Sequence, residues 1–174
     1  MTGVVTDDSR PAATVLWRGR CEGPGDTRAV GAALADVLAA GDVLVLTGRL
    51  GAGKTTLVQG LARGLGVDAD VTSPTFVLAR ELRGGRLPLI HVDAYRLGSA
   101  LELDDLDLDT DLADALVAVE WGEGLAERLS PDRLEVRLDR SAADDSRSVE
   151  VRGVGERWAG VPPLAVTAPD RGTR

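Results

Sequence analysis

The chain has 174 residues and a mass of 18.2 kDa, enough for one domain with a substantial core. Hydrophobic residues make up 44% and charged residues 28%, the balance of a soluble globular protein, and no apolar run is long enough to span a membrane. A net charge of -8 disfavours unaided tight binding of RNA or DNA, and a single cysteine, Cys21, excludes an intrachain disulfide and points to a reducing, cytoplasmic setting.

Residues 1–11 are polar, lack the apolar core of a signal peptide and are expected to be disordered. A single domain is expected over 12–161. Ala13–Gly19 reads as a strand, Gly23-Pro24-Gly25 as a turn, and Asp26 as the N-cap of a helix with Val30, Leu34, Val37 and Leu38 on its apolar face. Gly41-Asp42 ends that helix. The unbroken run Val43-Leu44-Val45-Leu46 then has the character of a central parallel strand, buried on both faces.

The stretch Gly48-Arg49-Leu50-Gly51-Ala52-Gly53-Lys54-Thr55-Thr56 follows this strand and precedes Leu57, Leu61 and Leu65 at helical spacing. Strand, glycine-rich loop and helix are the context of a phosphate-binding P-loop. Gly51 and Gly53 let the backbone turn its N–H groups inward, and the helix opening at Lys54 adds its own free N–H groups and dipole. Lys54 is expected to reach the β- and γ-phosphates and Thr55 to ligate Mg²⁺. Lys54 is the only lysine among 20 basic residues. A compact ammonium fits between phosphate oxygens where a planar guanidinium does not.

Beyond this helix, Val71–Thr75 reads as a loop leading into a strand over Phe76–Glu81, with a hairpin turn at Arg83–Arg86 and a return strand from Leu87 to Asp93. Leu101 to Leu116 is acidic and suggests short helices. Leu116–Val119 reads as a further buried strand ending at Glu120, and Gly122–Leu129 as helical. Leu134–Leu138 and Val149–Arg152 alternate as half-exposed strands joined by a polar loop, and Gly155–Trp158 as the start of a short helix. A loose tail is expected over 162–174. The fold class implied is α/β: a P-loop NTPase, a single three-layer domain whose mostly parallel central sheet carries added antiparallel strands.

Phosphoryl chemistry on such a loop needs a carboxylate at the end of a neighbouring strand to hold Mg²⁺. Asp93 and Glu120 both end apolar strands, where ligands of open α/β sheets collect. His91, two residues before Asp93, shares its face of the strand and reads as either a packing residue or a site residue. Arg96 suits either a phosphate or a salt bridge, and Trp121 either core or site. The only Phe, His and Tyr of the chain, Phe76, His91 and Tyr95, fall within this one region. The chain contains no asparagine, hence no Asn-Lys-x-Asp guanine motif, which favours ATP over GTP.

The series Gly51-Ala52-Gly53-Lys54-Thr55-Thr56, Ser73-Pro74-Thr75-Phe76, His91-Val92-Asp93-Ala94-Tyr95-Arg96 and Glu120-Trp121 resembles the bacterial TsaE family, in family order, over about Gly23 to Leu138. These are small P-loop ATPases required for N6-threonylcarbamoyladenosine in tRNA. The resemblance implies that Leu50 to Thr55 wraps the phosphates and that Glu120 is a metal-site carboxylate. It implies that Asp93 is a strand-end acid of hydrolysis, that Ser73 and Thr75 sense nucleotide state, and that Pro24 and Thr27 line the adenine. It further implies a TsaB–TsaD partner complex whose turnover the ATPase supports, so that tRNA is met only indirectly. Arg49 departs from the acidic residue usual in the family. Two other classes stay open on the residues alone: a small-molecule kinase, and a nucleotide-gated binding module that does not hydrolyse.

Overall fold

The computed structural model describes residues 13–74, 79–96, 113–124 and 129–167. They form a seven-stranded mixed sheet with two helices packed on one face. The strands are β1 (Ala13–Cys21), β2 (Val43–Thr47), β3 (Ala79–Leu82), β4 (Leu89–Asp93), β5 (Leu116–Glu120), β6 (Arg133–Arg140) and β7 (Arg147–Val154), and the helices are α1 (Pro24–Ala35) and α2 (Lys54–Gly64). The order across the sheet is β1-β7-β6-β2-β5-β4-β3.

The middle of the sheet is parallel. β2 lies between β5 and β6 and is parallel to both, and β4 continues the parallel set on β5. This is the environment that the unbroken apolar runs of β2 and β5 require, since a strand covered on both faces has no polar side. Leu44, Leu46, Leu89, Leu116 and Ala118 pack under the helices with Leu34, Leu57 and Leu61. Val43, Val45, Ile90, Val92, Val117 and Val119 form a second cluster on the opposite face. The outer strands β3, β7 and β1 are antiparallel additions, as the alternating patterns of β6 and β7 imply.

Several boundaries differ from the sequence expectations for local reasons. Gly23, not Asp26, is the N-cap of α1, because Pro24 takes the first helical position, where its missing N–H costs nothing. Asp26 instead reaches back to accept the Glu22 N–H at 2.8 Å. The helix ends at Ala35 rather than at Gly41. Carbonyls at and just after its end are taken by arginines from distant segments: Arg86 donates to Ala35 O and Leu38 O, and Arg157 to Val37 O. β4 starts at Leu89, one residue after Pro88, which has no N–H to donate to a ladder. β3 is described from Ala79 and extends to Leu82, one residue past the expected end at Glu81. Gly155–Trp158 forms only a single 3₁₀ turn at Glu156–Trp158, with Gly155 as its N-cap, burying Trp158. Leu164, in the stretch read as tail, is buried and donates its N–H to Leu16 O at 2.9 Å. The N-terminus over 1–11, residues 75–78 with the first half of the strand expected from Phe76, most of the acidic segment from Leu101, residues 125–128 of the expected helix after Gly122, and 168–174 lie outside the described residues.

α1 and α2 touch backbone to backbone. A Cβ on Gly31 would lie 2.1 Å from Leu57 O, and one on Gly60 would lie 2.1 Å from Arg28 O. In an ordinary helix, replacing glycine by alanine stabilises by about 0.5–1 kcal/mol. At this crossing the sign reverses, because the added methyl has only backbone to push against. Gly31→Ala and Gly60→Ala should each destabilise by about 1–3 kcal/mol, in the range of overpacked cores, read as a lowered midpoint in chemical denaturation. A midpoint at or above that of the unaltered chain would mean that the helices separate freely.

Candidate functional site

The site lies at the carboxyl ends of β2, β5 and β4, where the loop after β2 curls over the start of α2. Gly48 has φ 150°, and a Cβ there would lie 2.4 Å from Leu138 O, so the first residue of the loop has no room for a side chain. Gly53 occupies the N-cap of α2 at φ 106°, a left-handed conformation that frees the first turn to open directly at Lys54. Between them the Ala52 N–H closes onto Arg49 O at 3.0 Å. The result is a tight loop with the N-terminus of an eleven-residue helix at its mouth.

Lys54 is only 4% exposed. Its Nζ donates to Gly48 O at 2.8 Å and Arg49 O at 3.2 Å, and lies 3.8 Å from the centroid of the Trp121 ring. Burial pushes its pKa below the usual lysine value, and the charges of Glu120 and then Asp93 pull it back up. Thr55, the next residue of α2, donates its hydroxyl to Glu120 Oε1 at 2.8 Å. Parallel pairing sets Asp93 directly opposite Glu120, so both carboxylates leave the sheet at one level. Asp93 Oδ2 accepts the Ser73 hydroxyl at 3.1 Å and Oδ1 accepts the Tyr95 N–H at 3.0 Å.

Trp121 follows Glu120 at φ 60°, the one non-glycine residue with positive φ among the described residues. Its N–H donates to Leu46 O at 3.0 Å, which holds the turn after β5, and its ring meets that of Tyr95 at 5.1 Å. Such a conformation costs on the order of 1–3 kcal/mol and persists only where the surroundings enforce it. Here it turns the indole back over Lys54.

These groups surround a cleft of about 770 Å³. Leu50, Gly51, Gly53, Lys54, Thr55 and Thr56 form its floor; Ser73, Asp93 and Glu120 stand on one side with Tyr95 and Trp121. Pro24 lies on the opposite side with Arg140, Asp145 and Arg147. Ala52 and Thr27 are fully buried behind the wall and do not line the cleft. Thr27 acts through a neighbour instead: its Oγ1 accepts from Arg147 Nη1 at 3.3 Å and donates to Gly23 O at 3.2 Å. Thr75 lies outside the described residues.

Arg147 went unnoticed in the sequence. It is 6% exposed, and its Nη2 donates to Asp145 O at 2.8 Å. The signal was its parity: Arg147 alternates in step with Val149 and Val151 on the inward face of β7, where a cation needs a reason to be. Arg140, at the end of β6, pairs with Asp145 at 2.6 Å across the loop joining these strands.

Chemically the cleft offers a cation and a helix N-terminus at one end of the floor, with hydroxyl and carboxylate oxygens beside them. No group of three acidic, histidine or cysteine side chains forms a ready metal cage among the described residues. Mg²⁺ does not need one. It is commonly held by one or two protein oxygens together with phosphate oxygens and water, and the adjoining Thr55 and Glu120 oxygens fit that pattern.

A family model for the threonylcarbamoyl adenosine biosynthesis protein TsaE matches residues 21–149. The tRNA threonylcarbamoyladenosine biosynthesis protein TsaE of Streptomyces coelicolor is 56% identical over 138 residues, covering 76% of this chain and 93% of its own. The protein of the same description from Bacillus subtilis is 41% identical over 140 residues, covering 80% and 87%. In three dimensions the chain is similar to the crystal structure of Bacillus subtilis YdiB, with TM-score 0.70, 35% identity, and coverage of 85% of this chain and 91% of the other.

Because Lys54 is the only lysine, its side-chain carbon resonances report on one group without ambiguity. In an NMR titration its midpoint should lie below the ordinary lysine value. Glu120→Gln removes the larger of the two charges that favour the ammonium, so the midpoint should fall further. An upward move in that variant would contradict the electrostatic arrangement described.

Proposed function

The chain belongs to the TsaE family, whose members act in tRNA threonylcarbamoyladenosine biosynthesis, and on that premise we propose that it binds and hydrolyses ATP with Mg²⁺ to drive turnover of a TsaB–TsaD-type partner complex. The observation that carries this reading is the convergence of Lys54, Thr55, Asp93 and Glu120 on one loop at the carboxyl edge of the sheet.

In this reading the N–H groups of the loop and of the first turn of α2 cradle the phosphates. Lys54 exchanges its bonds to the Gly48 and Arg49 carbonyls for phosphate oxygens, which are better partners for an ammonium. Thr55 donates its proton to Glu120, which leaves its oxygen lone pairs free to ligate the metal. Mg²⁺ held there would offset charge on the phosphates. Asp93, fixed through both oxygens by Ser73 and the Tyr95 N–H, is placed to orient the attacking water and take its proton. Water attacks the γ-phosphorus, the bond to the β-phosphate oxygen breaks, and ADP and phosphate leave. Ser73 ties the stretch 71–74 to Asp93, so that stretch can report whether a γ-phosphate is present.

Pro24 stands at the opposite wall, where the base would lie. The chain has no asparagine from which to build a guanine-reading Asn-Lys-x-Asp motif, which supports adenine. A net charge of -8 supports action on tRNA through protein partners and gives no support to a DNA target. No helix among the described residues is long and apolar enough to cross a membrane, in keeping with a cytoplasmic role.

Lys54→Ala should lose at least about 10²-fold in ATP turnover, the scale of one preorganised electrostatic group, and Glu120→Ala should also be impaired, each assayed with and without the partner proteins. Equal rates for both variants and the unaltered chain would sink the mechanism. ADP formation that needs a small acceptor and not the partners, with the phosphoryl group found on that acceptor and not as free phosphate, would point to a kinase. Binding without any phosphate release, partners present, would point to a nucleotide-gated module. Thr55→Ala should weaken nucleotide binding more in Mg²⁺ than in its absence, and equal weakening in both would remove Thr55 from the metal.

A further inference from the structure

His91 is wholly buried at the centre of β4, and its Nε2 lies 2.8 Å from Glu120 Oε1. The parallel register sets His91 opposite Ala118 and Asp93 opposite Glu120. Ala118 presents only a methyl, so the imidazole passes over it and reaches diagonally along the same face to the Glu120 carboxylate. A carboxylate oxygen can only accept, so Nε2 is the donor. The same oxygen accepts the Thr55 hydroxyl. Oε2 of Glu120 makes no hydrogen bond among the described residues, and Glu120 lines the cleft.

We propose that His91 is a positioning residue: it holds Oε1 of Glu120 toward itself and Thr55, so that Oε2 is presented to the Mg²⁺ of a bound nucleotide. The inference rests on the Mg²⁺–nucleotide reading of the site. The other ring nitrogen argues against a purely structural role. Nδ1 is buried and has no partner among the described residues, a cost that an aliphatic side chain of similar size would avoid. If His91 only filled space between β4 and α2, leucine would serve better. What leucine lacks is the N–H that fixes Glu120. His91 therefore stands to Glu120 as an outer hydrogen-bond partner stands to a metal ligand, without touching metal or nucleotide itself.

The test is calorimetric titration of Mg²⁺ into the full-length chain saturated with ADP, alongside ADP binding without Mg²⁺. His91→Leu should lower Mg²⁺ affinity by about 10- to 100-fold, the usual effect of losing such a partner, and leave metal-free ADP affinity unchanged. His91→Gln can donate from a similar reach and should recover most of the loss. Unchanged Mg²⁺ affinity in His91→Leu would overturn the proposal, as would an equal fall in both affinities. An unaltered chain that binds ADP identically with and without Mg²⁺ would defeat the metal reading, and this inference with it. Should the variants not fold, the one histidine of the chain gives a second measurement. In the ADP–Mg²⁺ complex its ring should carry a proton on Nε2 by ¹⁵N NMR, and an unprotonated Nε2 would overturn the role.

Discussion

The site depends on a buried ammonium. Lys54 sits at 4% exposure on the first turn of a helix whose own N-terminal dipole repels a cation. Taking such a charge out of water costs several kcal/mol unless it is compensated. Compensation here comes in pieces: two loop carbonyls, the face of Trp121, and the fields of Glu120 and Asp93. None of these is a direct ion pair. The ammonium is therefore held where an anion would be a better partner than any group now touching it, and the surrounding N–H groups ask for the same kind of ligand. The depressed pKa of Lys54 and the phosphate binding proposed for it rest on one arrangement.

That arrangement follows from the register of the parallel strands. β2 delivers the loop, β5 delivers Glu120 and then Trp121, and β4 delivers His91 and Asp93. Because β4 and β5 pair with Asp93 opposite Glu120, a slip of one residue would turn one carboxylate into the opposite core face. The apolar residues between them prevent the slip. Val92, Val117 and Val119 fill one face while Leu89, Leu116 and Ala118 fill the other, and both faces are covered. Core packing thus fixes the spacing of the charged groups, and the left-handed Trp121 is affordable because its N–H is tied to Leu46 O in the same sheet.

Most of this was legible in the residues. Continuous apolar runs marked β2 and β5 as interior strands, alternation marked β6 and β7, and the glycines and lone lysine marked the loop. His91 could be placed on the face of Asp93 by parity alone. Its bond to Glu120 could not, because that depends on which strand neighbours β4 and in what register, and β5 is separated from it by a long stretch of chain. Arg147 was missed for a related reason: the sequence reading left it in the polar loop before a strand starting at Val149, whereas β7 begins at Arg147 and the sheet order brings its inward face to the cleft. The N-cap of α1 was misplaced because Asp26 is a good capping residue in general, while Pro24 two positions earlier had already fixed where the helix begins.

The far wall of the cleft shows how a packing constraint becomes a functional one. α1 carries Pro24 at its start, and its distance from the loop is set by α2, on which Gly31 and Gly60 allow backbone contact. Arg147 is the second tie. It reaches from β7 to Thr27 on α1, and its Nη1 lies 2.9 Å from where a Cβ on Gly53 would be. A larger residue at either helix glycine would move Pro24 and Thr27 together, and a side chain at Gly53 would displace Arg147 from between them. The cleft width is thus fixed by three positions that carry no side chain, each placed where backbone or a buried arginine occupies the space. Glycine at Gly53 therefore does two things at once: it permits the left-handed turn that opens α2 at Lys54, and it leaves room for the cation that ties β7 to Thr27 on α1.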